Sequence, residues 1–152
     1  MPIVTVITEI HAPIDVCFDL ARSIELHTRS TLGTDEKAIA GITSGVIGPG
    51  EEVTWEARHF GIRHRLTSRI SAFDKPRYFR DSQVRGPFAR FDHDHVFSCE
   101  SGITVMEDIF DYESPMGWVG RVVDGSILKR YMQRFLAERG RVIRAAAESG
   151  VR

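Results

Sequence analysis

The chain has 152 residues, the size of one domain and enough to bury a proper core without disulfide staples. Its 20 basic and 21 acidic residues leave a formal net charge of −1, which points to neither nucleic acid nor an anionic membrane as a partner. A 42% hydrophobic and 27% charged composition is that of a soluble globular protein, and no apolar run reaches the roughly 18 residues of a membrane span.

The start, "MPIVTVITEI", has no basic region, long apolar run or cleavage site, so a cytoplasmic protein is expected. Residues 3–11 alternate with β-branched types and predict a strand. "APIDVCFDLAR" then predicts a helix, with Pro13 suited to its first turn and Asp15 to its positive end. A second short helix is weakly signalled at 23–30, and a strand at 36–44 precedes the loop "GVIGPG". That loop lacks the GK[ST] ending of a phosphate loop and reads as a surface loop, with gating of a cavity as the rarer role.

Strands follow at 51–60 and 62–73, joined tightly at Gly61. A Gly61-Ile62 turn sets His59 opposite His64, Ala57 opposite Leu66 and Trp55 opposite Ser68. Further strands at 77–84, 88–97 and 103–112 are separated by short turns, which implies an antiparallel meander. From about Trp118 the chain predicts some thirty residues of helix, with Leu128, Tyr131, Met132, Phe135, Leu136, Val142 and Ile143 on one stripe. Gly140 marks a bend or a close approach. The order of elements is that of an α+β fold. Cys17 and Cys99 form no CxxC pair and read as two buried free thiols.

The stretch "FARFDHDHVF" (88–97) carries the sharpest functional signal. With period two, Phe91, His93, His95 and Phe97 share one face, and Asp92, Asp94 and Val96 the other. Imidazoles between phenylalanines stand where a core places Val, Ile or Leu.

The "HAPIDVCFDL" start, the "P-x-G-W" of Pro115, Gly117 and Trp118, and the "YMQRFLAERGRVIRAAAE" tail resemble the START-like superfamily, also called SRPBCC or helix-grip. The middle of the chain, from "TWEARHF" to "FDHDHVF", is similar to a bacterial SRPBCC subgroup, some of whose members are fused to a nucleotide-sugar-epimerase-like domain. The resemblance spans the whole chain and implies one START-like domain over 1–152. It implies a seven-stranded antiparallel sheet curled around a long C-terminal helix, with one or two short helices after the first strand. The superfamily includes lipid carriers, hormone and flavonoid binders, coenzyme-Q-binding proteins, polyketide cyclases and ring-hydroxylating oxygenase subunits. They share an apolar cavity and little chemistry. No three-histidine iron or Rieske cysteine pattern is present, which removes the oxygenase branch.

In such a fold the inward face holds Val53, Trp55, Ala57 and His59, then His64, Leu66 and Ile70, then Phe79 and Asp81. Phe91, His93, His95 and Phe97, and finally Met106, Asp108 and Phe110, complete it. Arg58, Arg63, Arg65 and Arg69 fall on the wet face, where Glu52, Glu56, Asp92 and Asp94 can neutralise them, so this basic run is not read as an RNA site.

Three readings of the inward polar residues stay open. One is a satisfied core network, with Asp81 or Asp108 fixing the histidine tautomers. The second is a ligand cavity. Here Trp55, Phe79, Phe91, Met106, Phe110, Met132 and Phe135 hold an apolar body, while His59, His64, His93, His95, Asp81 and Asp108 orient its polar end. Within it, His93 and Asp108 are the candidate acid–base pair of a cyclase or dehydratase. The third gives the imidazoles at 59, 64, 93 and 95 to a divalent metal, although the resemblance implies neither metal nor cofactor.

The expectation is therefore a carrier or sensor, non-enzymatic rather than catalytic, for a small apolar molecule such as a lipid, quinone or polyketide-like compound. The alternatives are a cyclase or dehydratase, or a ligand-free interaction module with a protein partner. No stable membrane insertion is expected, and either a monomer or a homodimer fits.

Overall fold

The computed structural model describes residues 3–59, 61–114 and 127–150. Strand β1 (Ile3–Ile10) leads into helices α1 (Ile14–Ala21) and α2 (Ile24–Ser30) and a 3₁₀ turn at Leu32–Thr34. Six strands follow: β2 (Lys37–Gly41), β3 (Glu52–His59), β4 (Ile62–Asp74), β5 (Tyr78–Arg85), β6 (Arg90–Glu100) and β7 (Ile103–Glu113). Helix α3 (Lys129–Glu148) closes the described chain. The strands form one seven-stranded antiparallel sheet in the order β1-β7-β6-β5-β4-β3-β2, which with the helices among the described residues is the expected α+β helix-grip architecture.

Local sequence explains the joints. Pro13 stands just before the first turn of α1, where an unpaired N–H is missed least, and its carbonyl accepts from Cys17. The Ser23 hydroxyl caps α2 by accepting from the Leu26 amide at 3.2 Å. Between β6 and β7, Ser101 and Gly102 both take positive φ (54° and 79°), the primed turn that suits the strand twist and pins Glu100 opposite Ile103. Helix α3 lies against β1, α1 and α2. A Cβ added at Gly140 would sit 2.4 Å from the Thr8 hydroxyl, so this glycine marks a close approach of helix to strand.

The β3–β4 hairpin departs from its expected register. His59 pairs with Ile62, Ala57 with His64 and Trp55 with Leu66, so the hairpin closes two residues earlier on β4 than the expected turn requires. The slip amounts to two residues on the partner strand, so every side chain keeps its face.

Other details also differ. β2 is shorter than the predicted 36–44, ending at Gly41, whose φ of 73° breaks the extended run. Cys17 is buried, but Cys99 is exposed because β6 runs beyond the covered core at Ser98. On the wet face Glu56 pairs with Arg63 and Arg65, and Glu52 with Arg69. Asp94 and Asp92 bind nearer cations instead, Arg80 and Arg90. The described part of the C-terminal helix has 20 residues, or roughly 30 Å. The expected start near Trp118 and the Pro115–Trp118 motif lie outside the described residues.

Candidate functional site

The inward face of the sheet carries two apolar clusters with a polar layer between them. On β6, Phe91 belongs to one cluster and Phe97 to the other, with His93 and His95 between them. On β7, Asp108 stands between Met106 and Phe110; on α3, Arg139 stands between Leu136 and Ile143. Three elements thus contribute polar residues at one level, and β5 adds Asp81, paired with His93 across the sheet.

Asp108 is fully buried at the centre of this layer. Its Oδ1 accepts a hydrogen bond from His93 Nε2 at 3.0 Å and another from Arg139 at 3.3 Å. His95 Nδ1 lies 3.0 Å from the same oxygen, too bent for a hydrogen bond, so that contact is electrostatic. His95 Nε2 donates to Asp81 Oδ2 at 3.0 Å, and His93 Nδ1 lies 3.9 Å from that oxygen. The two imidazoles sit face to face, 3.8 Å between ring centres, and Phe79 stacks on His95 at 4.1 Å. Arg139 is anchored from behind by donating to the Ala21 carbonyl at 2.8 Å.

These contacts set the charges. Burial opposes ionisation of Asp108, but His93, His95 and Arg139 outweigh it and hold its carboxyl far below the usual range. Burial likewise opposes charge on Asp81, and His95 and His93 overcome it, so Asp81 is also held low. Burial disfavours the imidazolium of His95, yet the carboxylates of Asp108 and Asp81 win and raise its pKa. For His93 burial wins, helped by repulsion from His95, and the ring stays neutral more readily than usual. The two adjacent imidazoles are thus pushed in opposite directions, His95 toward the imidazolium and His93 toward the neutral ring.

A cavity of about 560 Å³ opens between sheet and helices. Trp55, Phe79, Phe91, Phe110, Met132 and Phe135 line it, together with His59, His64, Asp81, His93 and His95. Met106 and Asp108 do not. Met106 is sealed in the core, and Asp108 lies beneath the histidines and Arg139, which separate it from the cavity. Ile47 of the "GVIGPG" loop also lines the cavity, and the loop is pinned there by mutual hydrogen bonds between Ile47 and Arg22.

The four histidines do not form one constellation. Among the described residues, His93 and His95 converge with Asp81, their donor atoms all within 4.8 Å of one another. His59 instead hydrogen-bonds Tyr131, with the His64 ring 6.0 Å away and Phe135 at 5.8 Å. Burial holds His59 below the ordinary histidine value, with Glu36 opposing that shift and His64 reinforcing it.

Sequence reasoning missed several cavity residues: Arg139, Tyr131 as a polar partner, and the His27–Glu36 pair at 2.5 Å beside Trp55. Arg139 had a signal. Met132, Leu136, Arg139 and Ile143 share one helical stripe, and an arginine on an apolar stripe requires a buried acceptor.

Comparison with solved structures agrees with this architecture. TTHA0849 from Thermus thermophilus superposes with a TM-score of 0.80 over 98% of this chain and 99% of that one, at 18% identity. A START superfamily protein from Mycobacterium smegmatis gives 0.73 over 98% and 99%, at 10% identity. The chain has the START/SRPBCC-like fold. The same helix-grip frame is seen in major latex-like protein 151 from Panax ginseng, with a TM-score of 0.69 at 17% identity over 96% and 97%. No protein-family model and no curated protein matches the sequence. At these identities the START-like likeness concerns the frame alone. Among the described residues no helix is long and apolar enough to cross a membrane.

Proposed function

We propose that this START-like chain is a carrier or sensor that binds a small, mainly apolar molecule in the cavity between sheet and C-terminal helix. The observation that carries the reading is the cavity itself. At about 560 Å³ it falls in the size range of small-molecule sites, and aromatic and aliphatic side chains dominate its wall. One group of its polar residues, Asp81, His93 and His95, converges at a single point, which suits a ligand with a hydroxyl, carbonyl or carboxylate on an apolar body. Lipids, quinones and polyketide-like compounds meet that description. Trp55, Phe79, Phe91, Phe110, Met132 and Phe135 act as the apolar wall, and His59 and His64 serve a second polar point beside Tyr131.

A fluorescence titration tests this. Trp55 lines the cavity, so a Trp118→Phe variant leaves it as the only tryptophan reporter. An apolar fatty-acyl or naphthalene-sulfonate probe should bind at one per chain and change Trp55 emission, and Phe79→Ala should alter the affinity. Absence of saturable binding counts against the reading.

A second reading rests on the His93–Asp108 pair. A buried carboxylate that orients an imidazole facing a cavity is the arrangement of a general base. As a cyclase or dehydratase the protein would lose turnover in His93→Ala while keeping ligand affinity within about tenfold. Equal loss of both would leave His93 as a binding residue only.

A further inference from the structure

The contacts of Asp108 leave one nitrogen of each imidazole on the other side. Asp108 Oδ1 accepts a hydrogen bond from His93 Nε2 at 3.0 Å and also lies 3.0 Å from His95 Nδ1, an electrostatic contact. The remaining nitrogens, His93 Nδ1 and His95 Nε2, both turn toward Asp81 Oδ2, at 3.9 and 3.0 Å. Three donor atoms from two adjacent strands converge where the cavity wall is formed by these same residues.

We propose that Asp81, His93 and His95 form a two-histidine, one-carboxylate site for a divalent transition metal, with Asp108 orienting both imidazoles and the open positions facing the cavity.

Four features support this. The donor set of two imidazoles and one carboxylate suits zinc and its first-row neighbours rather than magnesium or calcium. The outer carboxylate is a recurrent companion of metal-bound histidine, because it fixes the tautomer and makes the ligating nitrogen more basic. Here the buried Asp108 hydrogen-bonds His93 and lies 3.0 Å from His95 Nδ1. The ligands sit on paired strands, Asp81 opposite His93, so the backbone holds them in place. Charge permits the ion as well. Asp81 and Asp108 contribute two negative charges against the one positive charge of Arg139, and a divalent ion replaces the proton between Asp81 and His95.

The resulting centre carries a net positive charge in the wall of a largely apolar cavity. It therefore takes an oxygen donor from the bound molecule, a carboxylate, enolate or carbonyl. The ligand chemistry deepens the cavity reading given above, whereas the metal site itself does not depend on that reading.

Metal-free protein, prepared with a chelator and dialysed, is titrated with Co²⁺ and then with Zn²⁺. Uptake of one Co²⁺ per chain, with a visible absorption band that Zn²⁺ abolishes, is expected. Asp81→Asn, at a half-buried position and nearly isosteric, should remove the band while circular dichroism stays unchanged. Asp108→Asn should weaken uptake by about 10–100-fold, the usual effect of losing an outer-shell partner. His64→Gln should leave it intact. No stoichiometric uptake by the wild-type chain overturns the proposal, and so does uptake that survives Asp81→Asn or is lost in His64→Gln. The naphthalene-sulfonate probe, added to the metal-free protein, separates the two ideas. Probe binding without metal uptake removes the metal site and keeps the cavity; metal uptake without probe binding does the reverse.

Discussion

The molecule uses two pairs of inward histidines, and they are built differently. His93 and His95 stand two apart on one central strand, with the fully buried Asp108 behind both. His59 and His64 face each other near the β3–β4 turn, half-buried, with a tyrosine as hydrogen-bond partner and no carboxylate bonded to either among the described residues. Residue type and sheet face are the same, and the surroundings make the difference. A buried carboxylate and a buried arginine lock the first pair in position and charge. The second pair is only half-buried and keeps access to solvent.

The largest test of that contrast is Asp108→Ala. It leaves Arg139 and two imidazoles buried without their anion and should cost about 3–5 kcal/mol in urea unfolding. His64→Ala, at the other pair, should cost about 1 kcal/mol or less. Similar costs at both sites would erase the distinction drawn here.

Next in size is ligand binding. His93→Ala should weaken a carboxylate-headed apolar probe by about 1.5–3 kcal/mol, the range for a hydrogen bond to a charged group. His59→Ala should weaken it by clearly less. The reverse ranking would move the reading point to the hairpin end.

Tyr131→Phe removes the hydrogen bond to His59 and should lower stability by about 0.5–1.5 kcal/mol. Its effect on the Asp108 layer should be nil, so a double substitution with His93→Gln should be additive.

The smallest expected effect is a pH dependence. Burial holds the folded-state pKa of His59 below its ordinary 6.5, with Glu36 opposing and His64 reinforcing the shift. Below that ordinary value the unfolded chain binds this proton more readily than the folded one. The contribution is therefore present above about pH 6.5 and is lost as the pH falls through the folded value. His59→Gln should flatten this slope in denaturation curves taken between neutral and mildly acidic pH. An unchanged slope would assign it to another group.

Much of this was readable before any coordinates. Period-two alternation placed His93, His95, Phe91 and Phe97 on the inner face, and the faces of β3 and β4 survived a register error because the slip was even. Depth was not readable. Parity tells which way Asp108 points, but it does not say that this carboxylate lies beneath the histidines and outside the cavity wall. Arg139 escaped because a helix rich in arginine reads as a wet face unless each position is checked against the apolar stripe. The His27–Glu36 contact joins two segments brought together only by the tertiary fold, and no local pattern announces it. Cys99 was misjudged for a similar reason, since strand parity does not show where a covering helix ends.

The central claim is that the cavity holds a small apolar molecule. Native mass spectrometry of the protein purified from its own host, followed by denaturing extraction, tests it most directly. The account expects a stoichiometric adduct that is released on denaturation and identified as an apolar compound with an oxygen-bearing end. A bare chain mass, from a protein that also fails to take up an apolar probe, would contradict it.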